Sequence, residues 1–236
     1  MSLELRGVGI RTRGTISPIS LQDINIHIRF RDRVALLCPP KGGLPELIKV
    51  ISGASAPDHG AVVRSSSLSW AIPGGTFFHK HLSFVGNARF IARLYEVHQA
   101  SFISRVIEMA RVGDLADERL SRCPKAAVSR FSFAVGACLP FDIYFLTSCN
   151  IGDKRDRERY AEMIGGLATK SGLLIATANP KGIQQFCDQA YVFDPAGVVH
   201  YDDVEAATEH YSRIAKPAEM IEEEATTEDD RVFDDF

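Results

Sequence analysis

The chain has 236 residues with a formal net charge of −3 at pH 7, and its 45% hydrophobic residues suffice for one large domain or two small ones. No apolar run reaches the roughly 18 to 20 residues that span a bilayer, and the stretch MSLELRGVGIRTRG lacks the apolar segment of a secretory signal. These features exclude membrane-spanning segments from the expected architecture, predict a soluble cytoplasmic protein and give no reason to expect a nucleic-acid partner.

The first half of the chain begins with two predicted strands and a helix. Residues 19–30 alternate apolar and polar side chains, as a strand with one buried face does. Residues 34–38 (VALLC) form a short continuous apolar run, typical of a central strand covered on both faces. After the turn CPPKGG, apolar residues at helical spacing predict a helix that Gly53 ends, and a further strand is predicted to end at residues 68–70.

The second half predicts helices first and then alternation. Helices are expected at residues 84–95, 101–110, 129–139, 155–167 and 180–187. Strands are expected at residues 142–148, 172–177 and 189–193. Alternating strands and helices predict an α/β fold with a mostly parallel sheet and right-handed crossovers. The helical block before residue 142 is too long for a simple crossover and is interpreted as an inserted subdomain.

Several stretches resemble the nucleotide-binding subunit of ABC transporters, in the subfamily that exports capsular polysaccharide. They are VISGASAPDHGAVV (50–63), LSW (68–70), GNARFIARLYE (86–96), FDIYFL (141–146), IGD (151–153) and QQFCDQAYVF (184–193). The resemblance implies a P-loop NTPase-like fold with N-terminal antiparallel strands. It implies an ABC ATPase-like domain over residues 1–212, with a helical subdomain at about 78–128.

The resemblance also implies a phosphate loop at residues 38–45. An active loop follows G-x-x-G-x-G-K-[ST], in which backbone N–H groups and the lysine bind phosphate and the hydroxyl holds Mg²⁺. Leu44 stands at the lysine position and Pro45 at the hydroxyl position. The positive charge of the lysine, the metal-binding hydroxyl and one backbone N–H are therefore missing. Only Gly43 matches a required position, although Lys41 with Gly42 and Gly43 could still hold a phosphate.

The other positions that the family uses for chemistry are replaced as well. The strand at 142–148 ends in Thr147 and Ser148 where the family has Asp and Glu, and Ala178 takes the place of the switch histidine. The signature sequence falls at residues 123–127, which read CPKAA. No glutamine occurs at residues 78–81, where His79 and His81 are expected at the surface or at an interface, and no aromatic residue occurs at 11–13 to stack on adenine. Asp153 survives, as a turn residue.

These replacements predict a catalytically degenerate ABC-type protein, a pseudo-ATPase without catalytic residues, metal or bound cofactor. It would act as a binding or regulatory component of a bacterial surface-polysaccharide exporter. Its expected partners are an active paralogue or the membrane permease, in a homo- or heterodimer, and the membrane is reached only through them. The aromatic residues near the expected docking surface belong either to the core or to the interface: Phe77, Phe78, Phe84 and Phe90.

Two alternatives remain at this stage. One is a working ATP-binding subunit that uses Mg-ATP with Lys41 as phosphate ligand. The other is binding of an unrelated nucleotide or sugar phosphate, which rests on the fold alone.

The five cysteines are scattered singly, so we expect buried or inert thiols and no disulfide or metal site.

The predicted tail, residues 213–236, differs from the rest in charge. Residues 219–236 hold nine acids and one arginine, a local charge of −8; since the whole chain carries −3, the residues before them carry +5. Low apolar content predicts disorder. A docking role is the alternative, because Val232, Phe233 and Phe236 lie among the acids.

Overall fold

The computed structural model describes residues 2–11, 20–73, 78–149 and 156–215. Within these ranges the strands are β1 (Ser2–Arg11), β2 (Ser20–Arg29), β3 (Arg33–Leu37), β4 (His59–Arg64), β5 (Ile143–Leu146), β6 (Gly172–Thr177), β7 (Gln189–Asp194) and β8 (Gly197–Tyr201). The helices are α1 (Leu44–Ser52), α2 (Phe84–Leu94), α3 (Gln99–Ala110), α4 (Lys125–Ala137), α5 (Arg157–Ala168) and α6 (Val204–Ile214). None of these helices is both long and apolar enough to cross a membrane.

The main sheet has the strand order β5-β6-β3-β7-β8. Strands β5, β6, β3 and β7 run parallel, and β8 is antiparallel to β7. Every residue of β5 and β6 is buried, which explains their continuous apolar sequences. The predicted α/β fold with a mostly parallel sheet is therefore confirmed.

A second sheet of three antiparallel strands has the order β2-β1-β4. The alternating residues Ile24, Ile26 and Ile28 of β2 are buried, as the pattern of residues 19–30 predicts. They share one core cluster with Leu47 and Ile51 of α1 and with residues of β3. The predicted N-terminal antiparallel strands thus pack, through α1, beside the main sheet.

Helices α2, α3 and α4 form a helical block with a core of its own. Phe131 of α4 lies at its centre, with its ring centroid 5.1 Å from that of Phe78 and 4.9 Å from that of Phe84. The block lies in sequence between β4 and β5, where an inserted subdomain was expected. The limits of that subdomain, about 78–128, remain a prediction; α4 continues to Ala137.

The structure differs from the sequence-based expectations at three predicted elements, and it also contains β8 and α6, which were not predicted. Residues 68–70 form no strand; Leu68 and Ile72 make isolated bridges to β5. The predicted helix at 180–187 is wrong, because only Ile183–Gln185 form a 3₁₀ turn after Gly182, whose φ of +85° breaks a helix. Helix α4 begins four residues earlier than expected. Helix α6 ends at Ile214, residues 216–236 lie outside the described part of the chain, and the predicted tail boundary after residue 212 remains a prediction.

Arg64, at the end of β4, holds the C-terminal end of α1. Its Nη2 donates hydrogen bonds to the carbonyls of Val50 (2.7 Å) and Ile51 (2.9 Å), and its Nε donates to Ile51 (3.1 Å). We expect Arg64→Ala to lower the free energy of unfolding by about 1 to 2 kcal/mol, because both carbonyls and the negative end of the helix dipole lose their cation. Urea denaturation measures the change, with Arg64→Lys expected to lose less. An unchanged midpoint for Arg64→Ala would show that this contact does not stabilise the fold.

Candidate functional site

The candidate site lies at the carboxyl edge of the main sheet. Strands β5, β6 and β3 are parallel neighbours, so the residues that follow them meet at one edge, where ligands bind in open α/β sheets. The N–H of Cys38 after β3 donates to the carbonyl of Thr177 at the end of β6 (3.2 Å). The fold therefore brings to the same edge the turn after β3, Thr147 after β5 and Ala178 after β6.

The turn after β3 is bonded within itself. Residues Pro40–Gly42 form a 3₁₀ turn, and Gly43, with a φ of +92°, leads directly into α1. The Gly42 N–H donates to the carbonyl of Pro39 (2.8 Å). The Cys38 thiol contacts the carbonyls of Gly42 (3.5 Å) and Pro39 (3.6 Å). The Gly42 N–H is thus occupied within the turn itself.

The thiol of Cys38 is unreactive at neutral pH. Its side chain is fully buried, and burial raises the pKa of the thiol to about 12, with a further contribution from the nearby Glu46 carboxylate. The group is therefore protonated at neutral pH and acts as a weak donor to the turn, since only a thiolate serves as nucleophile or metal ligand. This agrees with the expected inert thiol.

The start of α1 carries an apolar residue and a proline. Leu44 is only 6% exposed and packs in the core cluster with Leu47 and Ile51. Pro45 lies exposed in the first turn, where a proline fits because the first N–H groups of a helix have no partner within it. Lys41 is exposed on the turn, three residues before Leu44.

The ends of β5 and β6 are held by bonds to other parts of the protein. The Thr147 N–H and hydroxyl both donate to the Ile72 carbonyl, at 2.7 and 3.3 Å. Ala178 is 2% exposed, and its carbonyl accepts a hydrogen bond from Tyr211 of α6 (2.8 Å). Within the described ranges, no group of three or more His, Cys, Asp or Glu residues is arranged to hold a metal ion.

The remaining predicted positions lie on the helical block. In the CPKAA stretch, Pro124 is the N-cap residue of α4 and provides no side-chain hydrogen bond to the start of the helix. Ala127 is buried. His79 and His81 are exposed, with ring centroids 5.6 Å apart.

The aromatic residues of the expected docking surface divide into two groups. Phe78 and Phe84 belong to the core, whereas Phe90 is 56% exposed. Phe77, Asp153 and residues 12 and 13 lie outside the described part of the chain.

Sequence reasoning missed Tyr211 as a residue that supports the site. Its hydroxyl fixes Ala178, yet α6 was not predicted at all. The signal was present: Val204, Ala207 and Tyr211 are buried at positions i, i+3 and i+7, the spacing of one helix face.

Comparison with known proteins gives relatives over most of the chain. No family model matches it. It is 26% identical to the ATP-binding protein BexA of Haemophilus influenzae, over 83% of this chain and 91% of that protein. It is 24% identical to the capsule polysaccharide export ATP-binding protein CtrD of Neisseria meningitidis serogroup B (82% and 90%). It is 26% identical to the polysialic acid transport ATP-binding protein KpsT of Escherichia coli (80% and 87%).

Solved structures with the same fold include two cassettes. An ATP-binding subunit of an ABC transporter superposes with a TM-score of 0.75 at 17% identity, covering 94% of this chain and 99% of that one. A dimeric ATP-binding cassette in a post-hydrolysis state with ADP and phosphate gives a TM-score of 0.72 at 12% identity, covering 84% and 97%. At these identities the similarity concerns the fold.

Proposed function

We propose that this chain, which has the ABC ATPase fold and is similar to ATP-binding proteins that include one of capsule polysaccharide export and one of polysialic acid transport, is a pseudo-ATPase. It serves such an export system as a binding or regulatory component and does not hydrolyse ATP. The observation that carries this proposal is the turn after β3. Leu44 lies in the core where the family has its lysine, and the turn bonds to itself.

The chemistry of phosphate binding supports this proposal. A phosphate loop offers a row of N–H groups, a lysine and a hydroxyl to the nucleotide and its Mg²⁺. Here the Gly42 N–H bonds to Pro39, Leu44 carries no charge, and Pro45 lacks both N–H and hydroxyl. Losing one charge-stabilising group typically costs about 2.7 to 4 kcal/mol of barrier. Several such losses together leave no useful hydrolysis.

The second half of an ABC ATP site is also replaced. In ABC dimers each ATP lies between the phosphate loop of one subunit and the signature sequence of the other. Here residues 123–127 lack the serine and glycines of that signature, and Pro124 removes an N–H. A homodimer of this chain would then have no working site, and in a heterodimer both sites would be impaired.

The partner that we propose is an active ATPase paralogue or the membrane permease of the exporter, bound at the helical block. The outer side of α2 supports this choice, since Phe90, Leu94 and Tyr95 are 56, 64 and 40% exposed. The chain is then cytoplasmic and meets the membrane only through that partner.

Calorimetric titration of the full chain with Mg-ATP tests the proposal. We expect no saturable binding up to millimolar nucleotide and no phosphate release above background. The double variant Leu44→Lys, Pro45→Ser restores the missing groups, and a gain of affinity in it would identify a disabled site within an intact frame. Because Leu44 packs in the core, replacing it could unfold the protein. Thermal melting therefore checks that each variant is folded.

The variant Lys41→Ala tests the alternative function, a working ATP-binding subunit with Lys41 as phosphate ligand. If the native chain binds Mg-ATP and Lys41→Ala abolishes that binding, the protein is a nucleotide-binding subunit with an unconventional phosphate ligand. The pseudo-ATPase proposal would then be wrong.

A further inference from the structure

An apolar ridge of three exposed side chains runs along α2 and the turn just before it, and we call this ridge the α2 stripe. Its members are Leu82, Phe90 and Leu94, which are 42, 56 and 64% exposed. Phe90 and Leu94 are four residues apart and therefore neighbours on one helix face. Leu82 continues the ridge beyond Gly86: a Cβ built on Gly86 would lie 3.4 Å from the Leu82 Cβ.

Two exposed arginines run alongside this ridge. Arg89 and Arg93 are also four residues apart, one position before Phe90 and Leu94. Single exposed apolar side chains are ordinary on protein surfaces, whereas a contiguous apolar patch marks a surface that something covers. The α2 stripe therefore fits an occupant that is both apolar and acidic.

Residues 228–236 of this chain, EDDRVFDDF, have that chemistry. They hold five acids against one arginine, a charge of −4, and Phe233 and Phe236 lie three residues apart among the acids. The aromatic side chains match the apolar ridge, and the carboxylates carry the charge opposite to that of Arg89 and Arg93.

The segment is also long enough to reach the stripe. The last described residue is Ala215, and residues 216–227 span up to about 40 Å when extended. A chain of this size has a radius of gyration of about 17 Å, so that length reaches across the molecule.

We propose that residues 228–236 dock on the α2 stripe of their own chain. The segment covers the apolar ridge, and a partner that binds α2 must first displace it. A tethered segment competes at an effective concentration of about a millimolar, so it lowers the apparent affinity of a free partner for α2. This interaction does not depend on whether the chain binds nucleotide.

A fluorescein-labelled peptide of sequence EDDRVFDDF, added to the full chain, tests this. Fluorescence anisotropy measures its binding to the native chain and to the variant Phe233→Ser, Phe236→Ser, whose own segment has lost its aromatic rings. We expect the peptide to bind the variant and to bind the native chain about tenfold more weakly, because the native segment occupies the stripe. Binding should weaken further as salt is raised.

Two additional substitutions locate the contact. Adding Phe90→Ser with Leu94→Ser to the tail variant should abolish peptide binding, and thermal melting checks that the protein stays folded. Adding Val199→Ser, which alters an exposed apolar residue on β8, should leave binding unchanged. Equal affinity for the native chain and the tail variant, no binding to the tail variant, or binding that survives the α2 substitutions would each overturn the proposal. None of these results bears on the Mg-ATP titration.

Discussion

Gly60→Ala is expected to lower the free energy of unfolding by about 2 to 5 kcal/mol. Gly60 lies in β4 with a φ of +78°, where side chains other than hydrogen are strained. A Cβ there would also lie 2.2 Å from the carbonyl oxygen of Gly7 and 2.6 Å from that of Arg6. These are backbone atoms of the paired strand β1, so the clash is relieved only by distorting the three-stranded sheet.

Urea denaturation measures this loss, and Gly166→Ala is the matched control. Gly166 lies exposed in α5, and a Cβ there meets nothing within 4 Å. The control should stabilise the protein by about 0.5 to 1 kcal/mol, because alanine favours helix more than glycine does. If the two substitutions had the same effect, the packing of β4 against β1 would not be the cause.

Phe131→Ala is expected to destabilise the protein by about 3 to 5 kcal/mol. The Phe131 side chain is fully buried at the centre of the helical block, between the rings of Phe78 and Phe84. Its removal leaves a cavity that two other aromatic rings cannot fill without leaving their own positions. The loss therefore exceeds that of the apolar surface alone.

Thermal and urea unfolding of Phe131→Ala and Phe30→Ala together measure this effect. Phe30 has the same chemistry but is exposed at the end of β2, away from the α2 surface, so its substitution should change the free energy of unfolding by at most about 1 kcal/mol. A small loss at Phe131 would mean that the helical block is not packed around this ring.

The fold was largely predictable from the sequence where local patterns and tertiary environment agree. Apart from Arg33 and Thr177 at their ends, strands β3 and β6 have no polar side chains because they are buried on both faces. Helix α2 shows helical spacing because only one face is buried. Prediction failed at 180–187, where Pro180 and Gly182 outweigh the apolar pattern. It also failed at 68–70, which contact β5 at isolated points rather than along a strand.

The candidate site was predictable in its residue types and less so in its packing. The sequence alone places Leu44 and Pro45 after an apolar strand. It does not reveal that the Cys38 thiol contacts the carbonyls of the turn, or that Tyr211 bonds to the carbonyl of Ala178. The first contact depends on the conformation of the turn, and the second joins elements distant in sequence, so the residue pattern of one segment reports neither.

Strand β3 has a consequence for how the protein is made. Both of its neighbours are synthesised much later, since Arg33 pairs with Leu173 and Val34 with Gln189. At about 5 to 20 residues per second, the apolar stretch of β3 leaves the ribosome on the order of ten seconds before its partners exist. The antiparallel strands β1, β2 and β4 pair earlier. During that interval the apolar residues of β3 have no strand partner, and this stretch is open to aggregation and to chaperone binding.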